Sequence, residues 1–284
     1  MKKNTLDRRR KYYLVFDCET ATLPYASNFE DTDKKKIAIA KPLIYDFGYT
    51  IIDRKGKVYL RKNWLVTEIF SVPSIFNTAY YAHKRPIYID KLNKGLISLD
   101  SWNNIIAEFE KDLELVESVG AYNSMFDYKK AIPFTERYIQ ALYSPNFHEW
   151  ERKQNWVCDN IVKGSAKNND NFDCMNFHLR NKKYPLFDIW GLACEHILNC
   201  DNYREMATAN NWISQSRKYY STTAENCYRF LTENFEFDES HTAIEDCEIE
   251  GEILAKVFER VKPTEIEMGI IYFPFRIVGK VEEW

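Results

Sequence analysis

No stretch of about 18 uncharged apolar residues occurs anywhere in the 284-residue sequence, so no segment is suited to span a bilayer. The basic start, MKKNTLDRRRKYYLVFD, has no apolar signal core and no small-residue cleavage site, which predicts the absence of a secretory leader. Among seven cysteines there is no C-x-x-C pair, and the odd number suits reduced thiols in a cytoplasm better than a disulfide framework. A glycine-rich phosphate loop of the Walker type is also missing, which removes a nucleoside triphosphatase of that kind. Nor is there an excess of positive charge. The formal net charge of −3 argues against a wholesale basic coat, although a net count conceals local fields. With no internal repeat and no long low-complexity tract, organisation has to be read from hydrophobic period and punctuation.

What is present is material for a large core: 45% of residues are hydrophobic and 15% aromatic. We expect one domain over residues 1–284, with an irregular insertion at about 144–183 and a C-terminal tail at about 262–284. The β-branched and aromatic runs Tyr12 to Glu19, Leu43 to Asp53 and Lys57 to Val66 predict an antiparallel meander, with Arg54-Lys55-Gly56 as a hairpin turn. From Ser101 to Val116, residues Trp102, Ile105, Ile106, Phe109, Leu113 and Val116 recur at three- and four-residue intervals and predict an amphipathic helix. A short strand, Ser118 to Tyr122, follows. Helices are then expected over Asp127 to Tyr143, kinked or interrupted at Pro133, and over Asp188 to Leu198 with Asp188 as N-cap, after a last short strand at Tyr184 to Phe187. Thr222 to Asn234 and Thr242 to Arg260 complete the set. The order predicts an α/β fold with a mixed five-stranded sheet, antiparallel meander first and parallel strands after it, flanked by helices.

Three short stretches carry chemistry. In Val15-Phe16-Asp17-Cys18-Glu19-Thr20 two carboxylates stand two apart in an apolar strand, and strand side chains alternate, so both point the same way. Such a pair repels itself and suffers desolvation unless a cation lies between, and a hard ion such as Mg²⁺ takes one or two carboxylates plus water and phosphate oxygens. In Asn123-Ser124-Met125-Phe126-Asp127 a strand ends in a turn and a carboxylate opens a helix; alone, Asp127 reads more readily as a cap. In His241-Thr242-Ala243-Ile244-Glu245-Asp246, Thr242 and Glu245 fit a capping box, which sets His241 on the preceding loop and Asp246 rigidly in the first turns of a helix.

Strand Asp-x-Glu, then Asn-x-x-Phe-Asp, then His-x4-Asp, in that order, resembles the DEDDh 3′-to-5′ exonucleases of the ribonuclease H-like fold, over about residues 12–258. Phe187-Asp188-Ile189-Trp190 and Tyr220 to Glu225 look like the phage and bacterial branch of the DnaQ-like group. The resemblance implies that Asp17, Glu19, Asp127 and Asp246 hold two Mg²⁺ or Mn²⁺ ions and that His241 is the general base. It also implies removal of 5′-mononucleotides from a single-stranded nucleic-acid 3′ end, with DNA favoured over RNA. Many members continue their first motif with Thr-Thr-Gly-Leu, where this chain has Thr20-Ala21-Thr22-Leu23; Thr20 and Leu23 are nonetheless expected to touch the terminal nucleotide.

Basic and aromatic residues cluster at Lys34 to Lys36, at Tyr80 to Arg85 and around Trp150, Arg152, Lys153 and Trp156, and single strands are gripped by such combinations. For each cluster a solvated loop or a core aromatic is the competing account. Cys158, Cys174 and His178 offer zinc donors at loose spacing. The apolar run Ile270 to Phe275 suits either packing on the sheet or a partner chain. Beside the exonuclease stand an RNA-trimming exoribonuclease, a catalytically silent nucleic-acid-binding module of the same fold, and a metal-dependent hydrolase of small phosphate substrates. An intact set of four acids and a histidine argues against the silent module.

Overall fold

A computed structural model describes residues 6–7, 9–164, 175–179, 182–214 and 218–281. Its centre is a mixed sheet of seven strands in the order β4-β3-β2-β1-β5-β7-β6. The strands are β1 (Tyr12–Ala21), β2 (Leu43–Asp53), β3 (Val58–Val66), β4 (Ser98–Asp100), β5 (Ser118–Ala121), β6 (Asn176–Leu179) and β7 (Lys182–Asp188). β1, β2 and β3 form the expected antiparallel meander, and β5 and β7 add to it in parallel with β1.

Two strands exceed the five expected. β4 is a three-residue, largely exposed edge strand whose brevity leaves no alternation to read. β6 pairs antiparallel with β7 inside the segment expected to be irregular. That segment is corrected in a second way, because Phe147–Val162 is a helix. Phe147, Trp150, Cys158, Ile161 and Val162 form its apolar stripe, and the polar residues between them dilute the period without breaking it.

Helices cover both faces of the sheet. Alternation along β1 sends Leu14, Phe16 and Cys18 to one face and Tyr13 and Val15 to the other. On the first face, α1 (Trp102–Leu113) presents Phe109, whose ring lies 5.8 Å from Phe16 and 5.1 Å from both Phe47 and Tyr49. On the second face, α2 (Ala243–Arg260) brings Phe258 to within 4.6 Å of Tyr13. Asp17 and Glu19 continue the Tyr13–Val15 row, so the two acids emerge where α2 begins.

The start of α2 rests directly on β2. Gly48 is the residue that allows this, since a Cβ there would stand 2.7 Å from the backbone carbon of Ala243 and from the backbone nitrogen of Ile244. Asp46, two residues earlier on β2, accepts the Ala243 N–H at 3.0 Å and Asn63 Nδ2 at 2.6 Å. The first turn of α2 is therefore capped by the sheet. The expected capping box does not form: the Thr242 hydroxyl donates to Glu245 Oε2 at 2.6 Å, and Lys91 draws the same carboxylate outward at 3.0 Å.

The expected helix from Asp127 is divided at Pro133, as its missing N–H requires. Ser124–Phe126 leads into a wide π turn, Asp127–Ala131, closed by the Ile132 N–H on the Asp127 carbonyl, and a regular helix runs over Ile132–Leu142. After β7, Ile189–Ala193 is likewise followed by a π turn, Cys194–Leu198. The tail packs on the sheet: Gly269 bridges Phe187 in parallel, and the Ile271 N–H donates to Asp188 Oδ2 at 2.9 Å. None of the helices among the described residues is long and apolar enough to cross a membrane. Cys18, Cys158, Cys194, Cys200, Cys227 and Cys247 are free thiols.

Replacing Gly48 by alanine will drive a methyl group into the backbone of α2. The expected cost is about 1–3 kcal/mol in urea unfolding. A melt indistinguishable from wild type would show that α2 does not sit where the sheet holds it.

Candidate active site

The carboxyl ends of β1, β5 and β7 open onto a cavity of about 690 Å³. Open α/β sheets place their ligands at such strand ends. Asp17, Glu19, Asp127, His241 and Asp246 all line it, together with Asn123 of the second motif. Three distant stretches of chain meet there. Asp17 and Glu19 come from β1, Asp127 from the turn after β5, Asp246 from the first turn of α2, and His241 from the loop before it.

Two further acids line the cavity, Glu239 and Glu250. Glu250 lies one turn beyond Asp246 on α2, is 3% exposed, and accepts the Tyr122 N–H at 3.1 Å. It thereby ties α2 to the strand that leads to Asp127. Its i,i+4 spacing from Asp246 was visible in the sequence; its burial was not. Asp188, expected only as a helix cap, is buried at the end of β7 and acts electrostatically on Asp127.

So many carboxylates in one place disturb each other. Burial, then the charges of Glu239 and Asp46, push Asp17 up to about 7. Burial followed by Asp17 and Glu239 pushes Asp246 up to about 10. Glu19, Asp127 and Glu250 are all driven well above the carboxylate range by burial and by neighbouring acids. No Lys or Arg lines the cavity among the described residues. Asp246 Oδ1 is buried and receives no hydrogen bond. Donor atoms of Glu19, His241 and Asp246 lie within 4.8 Å of one another. Hard oxygen donors, an orphaned carboxylate oxygen and acids whose ionised forms repel one another are what a divalent cation suits and offsets.

His241 is held from three sides. Its ring stacks on Tyr81 at 4.4 Å and 13°. Lys84 lies over the other ring of that stack, 4.5 Å from the Tyr81 centroid, and donates to the Ser240 carbonyl at 2.6 Å. Glu239 Oε2 stands 3.6 Å from Nδ1. The backbone of His241 has φ 48, a left-handed conformation that non-glycine residues seldom take. Burial, reinforced by the charge of Lys84, holds the imidazole below its ordinary pKa and so favours the neutral ring. The cluster Tyr80 to Arg85 thus contributes Tyr81 and Lys84 to the support of His241.

No protein-family model matches the chain, and no curated protein matches its sequence.

Part of the lining is an aromatic wall. Phe126, Trp190, Tyr219 and Phe275 line it, with Trp190 and Phe275 stacked at 6.3 Å and 28°. The stretch Tyr220 to Ala224 runs along this wall, fixed by Tyr122 Oη donating to the Thr222 carbonyl at 2.9 Å and Trp190 Nε1 to Thr222 Oγ1 at 2.8 Å.

Other expected residues lie elsewhere. Leu23 is 3% exposed in the core and Thr20 extends β1; neither lines the cavity. The strand runs on to Ala21, and Thr78 and the Lys41 carbonyl bind Thr22, which turns Leu23 inward. Cys158 is buried in the core, His178 lies on β6, and Cys174 falls outside the described residues. Lys34 and Lys36 pair with Asp31 and Asp33 on their own helix, whereas Lys35 lies over the Tyr80 ring at 5.6 Å.

The acid cluster makes a prediction for the metal-free protein. Acids whose folded pKa is raised are neutral in the native state while the unfolded chain has already ionised, so stability falls as pH rises from about 4 towards 7, the window set by Asp17. Below about 4 that contribution is fully present. In EDTA the Tm should decline from pH 5 to pH 7.5, millimolar Mg²⁺ or Mn²⁺ should restore it, and Asp17→Asn should blunt both responses. A flat profile with no metal response in a calorimeter would contradict the electrostatic account.

Proposed function

We propose that this protein is a metal-dependent 3′-to-5′ exonuclease of the DEDDh type on a ribonuclease H-like fold, hydrolysing the terminal phosphodiester of a nucleic acid. The observation that carries the reading is the convergence of Asp17, Glu19, Asp127, His241 and Asp246 on one cavity that no Lys or Arg among the described residues lines. The α/β architecture with a meander followed by parallel strands is consistent with that fold.

In this reading Asp17, Glu19, Asp127 and Asp246 would hold two Mg²⁺ or Mn²⁺ ions. When bound, such ions lower the pKa of a water and offset charge on the departing oxygen. The chain's own residues do the rest. Carboxylates repel a polyanion, so neutralised acids are a condition of substrate entry. His241, neutral at rest, has Nδ1 turned towards Glu239, which leaves Nε2 to take the proton from the attacking water. Glu239, which burial and then the charge of Glu225 push up to about 7, faces the imidazolium and in its ionised form stabilises it, much as an acid orients a catalytic histidine elsewhere. Stacking on Tyr81 limits the ring's rotation, so the proton acceptor is positioned before substrate arrives. The aromatic wall of Phe126, Trp190, Tyr219 and Phe275 suits the flat face of a base. DNA is favoured over RNA as substrate on the strength of the motif resemblance.

Incubation with 3′- and 5′-labelled DNA and RNA, in Mg²⁺ and in EDTA, reads polarity, sugar preference and metal need together. Mg²⁺-dependent loss of the 3′ label first, as 5′-mononucleotides, is the expected result. Asp17→Ala, Asp127→Ala and Asp246→Ala should each abolish it, and His241→Ala should lower kcat by about 10²–10⁴-fold. Full activity in any of the aspartate variants would refute the assignment.

A further inference from the structure

Beyond the cavity, the tail carries two aromatic side chains that remain more than half exposed, Phe273 standing edge-on to Phe275 at 6.1 Å. The segment is anchored firmly at its start, by the Gly269 bridge to Phe187 and by the Ile271 N–H on Asp188. Gly191 permits that approach, since a Cβ there would stand 2.5 Å from Ile271 Cδ1. The two residues that follow turn outward. Tyr272 is 53% exposed and Phe273 57% exposed. Phe273 has φ 57, a left-handed backbone that costs free energy for a bulky residue. Two residues later Phe275 returns to line the cavity.

Each exposed ring is accompanied by a cation. The Arg276 guanidinium carbon lies 4.6 Å from the Phe273 centroid, and Lys129 Nζ lies 5.9 Å from that of Tyr272. Lys129 is two residues from Asp127, so this cationic and aromatic strip begins at the rim of the acid site. Exposed rings interleaved with positive charge are what unpaired nucleotides bind, the bases stacking and the phosphates meeting the cations. A duplex keeps its bases inside its own stack and offers the rings nothing comparable.

We propose that Tyr272, Phe273, Arg276 and Lys129 form a track for unpaired nucleic acid that leads past Phe275 to the cavity. The occupant is a single strand, on the complementarity of charge and ring and on the continuity of the strip with the cavity wall. The proposal rests on the exonuclease reading for its direction, the strand's 3′ end pointing inward.

The test compares the full chain with the Tyr272→Ala/Phe273→Ala double variant and with Arg276→Gln, in three assays. The first is fluorescence anisotropy of an end-labelled oligothymidylate of roughly 20 nucleotides in EDTA, which needs no catalysis. The second is Mg²⁺-dependent degradation of the same strand. The third is hydrolysis of the p-nitrophenyl ester of thymidine 5′-monophosphate, too short to reach the track. We expect the double variant to raise both Kd and KM for the strand by about 10-fold or more, with kcat on the ester within about twofold of wild type. Arg276→Gln should weaken strand binding and lower its salt dependence. Unchanged Kd and KM, or an equal loss on a blunt duplex, would overturn the track while leaving the exonuclease reading intact. Loss of ester hydrolysis in parallel with strand binding would show that the tail only supports the fold, and would overturn it as well. If wild type hydrolyses neither substrate but the double variant still loses strand binding, the track stands and the exonuclease reading falls. Should the double variant fail to fold, Phe273→Leu, which keeps the apolar bulk and removes the aromatic face, must show the same rise in Kd.

Discussion

Mutual repulsion among crowded carboxylates, half of them buried and half partly so, is the constraint around which the rest of this protein is arranged. Asp17, Glu19, Asp127, Asp246, Glu239 and Glu250 share one cavity, and burial leaves each with less water than its charge requires. Left to themselves such groups would separate. They stay together because each is fixed by structure formed elsewhere: β1 by strands on both sides, α2 by its seat on Gly48 and its cap from Asp46, and the turn after β5 by the Tyr122 N–H on Glu250. Apolar packing on two sheet faces supplies the free energy that holds like charges in place.

Histidine occupies a different mechanical position. Asp17 and Glu19 sit on a strand, Asp127 on a helical turn and Asp246 at a helix start, whereas His241 sits on a loop in a left-handed backbone conformation. Its support comes from Tyr81, Lys84 and Glu239. A neutral imidazole beside a carboxylate is ready to accept a proton and to be steadied once it has. The site therefore combines rigid charge with a base steadied by stacking.

Much of this was legible in the sequence, for identifiable reasons. The alternation in Val15 to Glu19 put both acids on one face, and the spacing from His241 to Asp246 put a histidine just outside a helix. Local patterns carry local geometry. What escaped depends on contacts between distant residues. Glu250 reads as a surface acid of a helix until β5 is seen to present it with an N–H. Thr242 and Glu245 have the spacing of a capping box, yet Lys91 and Asp46, from other parts of the chain, redistribute the bonds. Leu23 follows the acids as a substrate contact would, but Thr78 fixes the intervening backbone and the side chain enters the core. The helix Phe147–Val162 was hidden by Asn and Lys between its apolar positions, and β4 by its length of three residues.

The seat of α2 on β2 also has a kinetic meaning. Asp17 lies on the first strand and Asp246 on the last long helix, and the contact of Gly48 with Ala243 and Ile244 closes a loop of about two thirds of the chain. Contacts of that sequence separation form late, because the entropy of closing such a loop has to be met before the contact repays it. A folding chain that has built its meander and its helices but not yet docked α2 has Asp17 and Glu19 exposed to water, little perturbed, and without His241. The complete cluster of acids and histidine would thus assemble in one step at the end of folding, and partly folded chains would carry its acids without the cavity that gathers them.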